Sequence, residues 1–167
     1  MPLFKKILVP VDFSQCSIDA LRCALSLARQ YESKLILLHV IDARAYESIF
    51  HIHMISQEEA FEALKGNAIK KYEEMLVDLD AKDVEMEKRV IDGHPYVEIV
   101  RMAAHEEVDL VVIGTHGRSG LDHILFGSVA EKVVRKAPCP VLAVKPKDLH
   151  FRLPGSTRFI RKEDVEQ

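Results

Sequence analysis

Two hydrophobic periods alternate along most of the chain. Lys6-Ile7-Leu8-Val9-Pro10-Val11 is a short apolar run ended by Asp12-Phe13-Ser14, after which Ile18, Leu21, Leu25 and Ala28 recur at helical spacing. Leu35 to Ile41 is a second, nearly continuous apolar run. Such runs suit strands buried on both faces, as a parallel sheet covered by helices requires. Ser56-Gln57-Glu58-Glu59 opens the next helix as a capping box, in which Ser and Glu satisfy each other's orphan amides. Its apolar stripe is Phe61, Leu64, Ala68, Tyr72, Met75 and Leu79, with Gly66-Asn67 as its weak point.

Val84 to Ile91 alternates more and predicts a strand nearer an edge. Gly93-His94-Pro95 starts a third helix, with Pro95 in the first turn, carrying Val97, Val100 and Ala104. Asp109 to Ile113 is a fourth strand and a Gly-rich loop runs from Gly114 to Gly127. A helix beginning at Ser128 carries Ala130, Val133 and Ala137 and stops at Pro138, and Pro140 to Val144 is a fifth strand. This β-α alternation predicts a single α/β domain with a mainly parallel sheet and right-handed crossovers. Two stretches stand outside it: the connection from Asp42 to Ile55, and a polar extension that makes 147–167 a unit apart from the 1–146 domain.

Composition narrows the role. At 167 residues one domain is expected, since domains run to roughly 100–200 residues. Lys+Arg 23 against Asp+Glu 26 gives net −3, which leaves no broad basic face for nucleic acid or an acidic membrane. No apolar run approaches the ~20 residues of a membrane span, and the N-terminus lacks a secretory layout. Cys16, Cys23 and Cys139 are odd in number and unclustered, which argues against a disulfide framework or a structural zinc site. The expectation is a cytoplasmic protein.

Ligands of open α/β sheets bind beyond the carboxyl ends of the strands, where strand order reverses. Of the loops there, the one from Gly114 to Ser128 has a strong compositional oddity. Glycines let a backbone approach a ligand closely and adopt positive φ. Ser128 and Glu131 are expected to form a second capping box. A helix start there offers free amides and a positive dipole end to a phosphate, with Arg118 adding charge from the loop. The bland reading is that these glycines only make turns. No GxxxxGK(S/T) string occurs, which excludes a P-loop, and the turn after the first strand has no glycine, which excludes a GxGxxG dinucleotide fold.

Lesser signals carry less. His51 and His53 form a pair without a third ligand at metal spacing. His116 and His123 flank the glycine loop and read as solvated loop residues. Cys16 lies in the first turn of a helix but has no CxxC partner. Tyr46 and Phe50 either cover a ligand or pack under their own loop.

Gly114-x2-Gly117-x9-Gly127-Ser128 resembles the G-2x-G-9x-G-(S/T) signature of the nucleotide-binding branch of the universal stress protein family. The resemblance extends to Lys6-Ile7-Leu8-Val9-Pro10-Val11-Asp12-Phe13-Ser14 and to Ala137-Pro138-Cys139-Pro140-Val141-Leu142-Ala143-Val144, covering residues 3–146. It implies a Rossmann-like, five-stranded parallel sheet in the order 3-2-1-4-5, with Asp12 and Gly114 beside one crevice. It implies ATP as ligand, with phosphates on Gly114, Gly117, Gly127, Ser128 and Val129, and base and ribose near Pro10, Val11, Asp12 and Val40. Ile113 matches an apolar contact of the family. Asp12 is expected to accept hydrogen bonds, to coordinate Mg2+ or Mn2+, or to cap the first helix.

A homodimeric stress-response regulator is thereby implied, joined through Val141 to Val144, an apolar run at a sheet edge that a two-fold mate would close. Pro140 begins that strand, where its missing N–H costs least. The extension would cross onto the partner on Phe151, Leu153, Phe159 and Ile160, or fray. The alternatives are a nucleotide-free dimer, whose members lose the glycine signature, and a slow ATP hydrolase working through Asp12 and a metal ion. Enzymes of the related nucleotide-binding α/β superfamily carry HxGH-type or SGGxDS-type strings, and neither occurs here. No general base stands beside an activated nucleophile, so efficient turnover is not expected.

Overall fold

A computed structural model describes residues 3–42, 56–116 and 127–145, and the backbone of 151–152 and 159–160. The elements run β1 (Lys6–Pro10), α1 (Gln15–Tyr31), β2 (Lys34–Asp42), α2 (Gln57–Asp78), β3 (Met86–Gly93), α3 (Pro95–His105), β4 (Leu110–Gly114), α4 (Ser128–Lys136) and β5 (Val141–Val144). The five strands form one sheet in the order β3-β2-β1-β4-β5, and each adjacent pair is parallel. This is the expected architecture.

Side chains of a strand alternate between faces, and β1 divides its residues accordingly. Ile7 and Val9 join Leu21 and Leu25 of α1 and Tyr72 and Met75 of α2 in one cluster. Leu8 joins Ile99 and Ala103 of α3 and Ala130 and Val133 of α4 in the other. Both faces are therefore covered, which is why β1, β2 and β4 read as continuous apolar runs.

Local chemistry sets most helix limits as expected. Ser56 accepts from the Glu59 amide at 3.1 Å while the Glu59 carboxylate accepts from the Ser56 amide at 2.8 Å, completing the capping box of α2. The helix runs through Gly66, where a Cβ would meet nothing within 4 Å. The loss of propensity at one glycine, about 1 kcal/mol, is outweighed by burial of Ala60, Ala68, Tyr72 and Met75.

Two readings need correction. The buried face of α3 is Ile99 and Ala103, flanked by Tyr96 and Met102, whereas Ala104 is exposed. The Val97-Val100-Ala104 stripe is one residue out of phase, because an apolar-rich helix offers overlapping stripes and the sheet selects one. Strand β3 ends at Gly93, two residues later than its alternation suggests, because Asp92 and Gly93 still pair with Ile41 and Asp42. Part of the extension also pairs: β6 (Phe151–Arg152) and β7 (Phe159–Ile160) are antiparallel, with Phe151 opposite Ile160.

Tyr72 is fully buried, and its hydroxyl has no partner among the described residues. Burial pushes its ionisation well above the ordinary phenol range. A raised pKa in the folded state means that stability is intact below the unfolded value of about 10 and declines as pH rises past it. Tyr72→Phe keeps the ring and removes an unsatisfied polar group. It should match or exceed the wild type by up to about 1 kcal/mol at neutral pH. It should also lose less stability at alkaline pH, as read by urea unfolding.

Candidate functional site

The ladder between β1 and β4 has two register pairs, Ile7 with Leu110 and Leu8 with Val111. On its other side β1 stays paired with β2 as far as Pro10 and Leu38, and the Val11 amide donates to the Leu38 carbonyl at 2.8 Å. Backbone groups of successive strand residues point to alternate neighbours. With Val11 turned to β2, the N–H that Pro10 lacks would have faced β4, where no ladder remains. A proline in a central strand, normally a fault, sits here at the last residue of β1, where it ends the ladder on the β4 side only. A cleft of about 560 Å3 lies at the carboxyl ends of these strands.

The β1 side of the cleft is a tight turn. Asp12 Oδ1 accepts from the Ser14 amide at 2.9 Å and from Ser14 Oγ at 2.5 Å. Ser14 is the N-cap of α1, its Oγ accepting from the Ser17 amide at 3.3 Å. Asp12 is therefore not the helix cap, one of the roles expected for it; it fixes the residue that is. Phe13 between them has φ of 64°, a left-handed conformation that costs a bulky residue about 1–2 kcal/mol. Its ring is held at 5.1 Å from Tyr72, edge on, and 4.8 Å from His39. His39 contacts the Val11 carbonyl through Nδ1 at 2.7 Å. Since a carbonyl only accepts, Nδ1 carries the proton.

The β4 side has a different constraint. A Cβ on Gly114 would lie 2.8 Å from the Cys16 carbonyl oxygen and 2.9 Å from its Sγ. The glycine is thus required by the approach of α1 to β4, a packing reason that the loop's composition did not suggest. Cys16 is buried and its Sγ donates to the Val144 carbonyl at 3.4 Å, tying the start of α1 to β5. Beyond Gly114, the Thr115 amide donates to Val144 and the Gly127 amide to the Thr115 carbonyl. His116 is half-buried, with Nδ1 against Thr115 Oγ1 at 2.9 Å and Nε2 without a partner among the described residues. It is not the solvated loop histidine that its setting suggested.

Gly127, with φ −66°, is the N-cap of α4. Its backbone conformation is open to any residue, so positive φ is not the reason for glycine here. The second capping box does not form: Ser128 is the first helical residue, no side chain caps the helix, and Glu131 pairs instead with Arg135 at 3.4 Å. The first intrahelical bond runs from the Glu131 amide to the Gly127 carbonyl. The amides of Ser128, Val129 and Ala130 thus have no intrahelical acceptor, and these residues line the cleft.

Pro10, Val11, Asp12, Val40, Ile113, Gly114, Gly127, Ser128 and Val129 all line this one cleft. Gly117, Arg118 and His123 lie outside the described residues, as do Tyr46, Phe50, His51 and His53. Sequence reasoning missed Phe13, His39, Asn67 and Lys71, which also line it. Asn67 and Lys71 are four residues apart on α2 and flank Ala68 of the buried stripe, a spacing that puts both on one side of the helix.

The model of the universal stress protein family matches residues 3–145. The chain belongs to the universal stress protein family. Universal stress protein MJ0531 of Methanocaldococcus jannaschii is 36% identical over 149 residues, spanning 86% of this chain and 83% of that protein. MJ0577 of the same organism is 35% identical over 158 residues, and its solved structure aligns with a TM-score of 0.76 over 87% of this chain and 99% of that one. A universal stress protein solved in complex with cAMP aligns with a TM-score of 0.58 at 25% identity, over 85% of this chain and 97% of that one.

The requirement at Gly114 is testable on stability alone. Its neighbour is helix backbone, which cannot swing aside, so Gly114→Ala should destabilise the fold by about 1–3 kcal/mol, the usual range for overpacking. A urea midpoint equal to wild type would refute the close approach.

Proposed function

We propose that this universal stress protein binds ATP and works as a homodimeric stress-response regulator in the cytoplasm. The observation that carries the reading is the set of amides at the start of α4 that have no intrahelical acceptor and no side-chain cap among the described residues, on residues that line the same cleft as the Asp12 turn. Amides at a helix start form a ready anion site, which suits phosphates. The apolar wall of Val40, Ile99 and Ile113 suits a base. The relative solved with cAMP supports an adenine nucleotide as the ligand class, and the intact glycine signature favours a polyphosphate. Asp12 has oxygen chemistry for Mg2+ or Mn2+. The one hydroxyl beside an imidazole in the described lining, Thr115 Oγ1 at 2.9 Å from His116 Nδ1, belongs to a fully buried threonine, so binding is the role proposed and hydrolysis at most a slow side reaction.

Calorimetry decides between this reading and a nucleotide-free dimer. The wild-type protein should bind ATP, and Gly127→Val should lose binding while its unfolding midpoint stays close to wild type, because valine suits the backbone there but projects toward the phosphate path. ATP affinity unchanged in Gly127→Val would remove the phosphates from this loop.

The dimer rests on the contrast between the two sheet edges. Edge strand β3 is guarded by charge, with Glu87 paired to Lys34 at 3.2 Å and to Arg89 at 2.6 Å. Edge strand β5 is Val-Leu-Ala-Val, with Leu142 38% exposed. An unguarded apolar edge invites pairing, and a two-fold mate closes it once. The wild type should run as a dimer in light scattering and Leu142→Arg as a monomer. A dimeric variant would reject this interface.

A further inference from the structure

We propose that Lys71 of α2 is a ligand-binding residue of the same cleft, one that favours phosphorylated nucleotides over the neutral nucleoside. The inference rests on the nucleotide reading above and extends it to a helix outside the family's glycine motif.

Charge is the first ground. Asp12 and Asp42 both line the cleft, and Lys71 is its lysine or arginine among the described residues. An anionic ligand entering a concave site meets the summed field of the lining, which such a shape focuses. With Lys71 removed, the described lining keeps two carboxylates and no full positive charge.

Availability is the second. Lys34 and Lys65 are engaged by carboxylates at 3.2 and 3.3 Å. No carboxylate among the described residues is paired with Lys71, whose Nζ instead stands 5.5 Å from the centre of the Phe13 ring. An ammonium over an aromatic face gives up little when it turns to a phosphate, since an exposed contact of that kind contributes about 0.5–1 kcal/mol and a charge-assisted hydrogen bond more.

Placement is the third. The Phe13 ring is held between His39 and Tyr72, so the Lys71 ammonium stands over a fixed ring next to the Asp12 turn. Asn67, one helical turn earlier, lines the same wall with a neutral amide.

The test is calorimetry of the full-length protein with ATP and with adenosine, for the wild type, Lys71→Met and Lys71→Arg. Methionine keeps an unbranched side chain and deletes the charge. We expect ATP affinity about tenfold weaker in Lys71→Met, near the low end for a charge-assisted hydrogen bond. Adenosine affinity should be unchanged, ATP binding should weaken less with added salt, and Lys71→Arg should stay near wild type. Unchanged ATP affinity in Lys71→Met, or an equal loss for ATP and adenosine, overturns the assignment while leaving the nucleotide site standing. A wild-type protein that binds neither ligand overturns the nucleotide reading and this inference with it.

Discussion

The hydrogen-bond ladder of β1 stops sooner on the β4 side than on the β2 side, at a residue with no N–H to give, and the cleft lies at this end of the strand pair. Up to Leu8 the sheet is continuous, and its two faces bury the apolar runs of β1, β2 and β4. Beyond it, the chain leaves β1 toward α1 on one face, whereas the chain after β4 leads to α4 on the other. Backbone groups at the parting strand ends would be costly if buried without partners. Pro10 removes one donor outright, and Asp12 takes up the amide of Ser14. Both residues line the crevice whose strand ends they settle.

Two glycines of the family signature turn out to answer different constraints. Gly114 is small because the Cys16 backbone approaches within 2.8 Å of where its Cβ would be. Gly127 has an ordinary extended conformation and stands where α4 begins without a side-chain cap. A capped helix start has spent amides; α1 and α2 are capped by Ser14 and Ser56. At α4 the serine sits one position too late to cap, and no side chain among the described residues takes its place.

The fold was legible because burial on both faces of a parallel sheet writes itself as unbroken apolar runs, and the strand order followed from the three matched blocks. The cleft's backbone contributors were legible for a related reason: strand ends and a glycine loop are marked along the chain. What escaped were side chains brought in by tertiary geometry. Lys71 and Asn67 are ordinary polar residues of an amphipathic helix until α2 is laid against β2. Phe13 reads as one aromatic in a turn, and its left-handed backbone follows from the packing of its ring on Tyr72 and His39. The phase of α3 was misread because Val97, Val100 and Ala104 are as apolar as Tyr96, Ile99 and Ala103, and only contact with the sheet distinguishes them.

Magnitudes explain why such a site cannot rely on helix amides alone. A helix start contributes about 0.3–1 kcal/mol to a nearby negative charge, and about 2 kcal/mol in a partly buried setting. A carboxylate about 8 Å from the same charge opposes it by about 2 kcal/mol at an effective dielectric constant near 20. Asp12 and Asp42, both in the lining, add negative charge to the same wall. A polyphosphate therefore needs countercharge from lysine, arginine or a bound divalent ion. Each acts over several ångströms, so a cation on a facing helix serves as well as one in the glycine loop. With an acidic turn on one side of the cleft, positive charge elsewhere in its lining favours an anionic ligand over a neutral one.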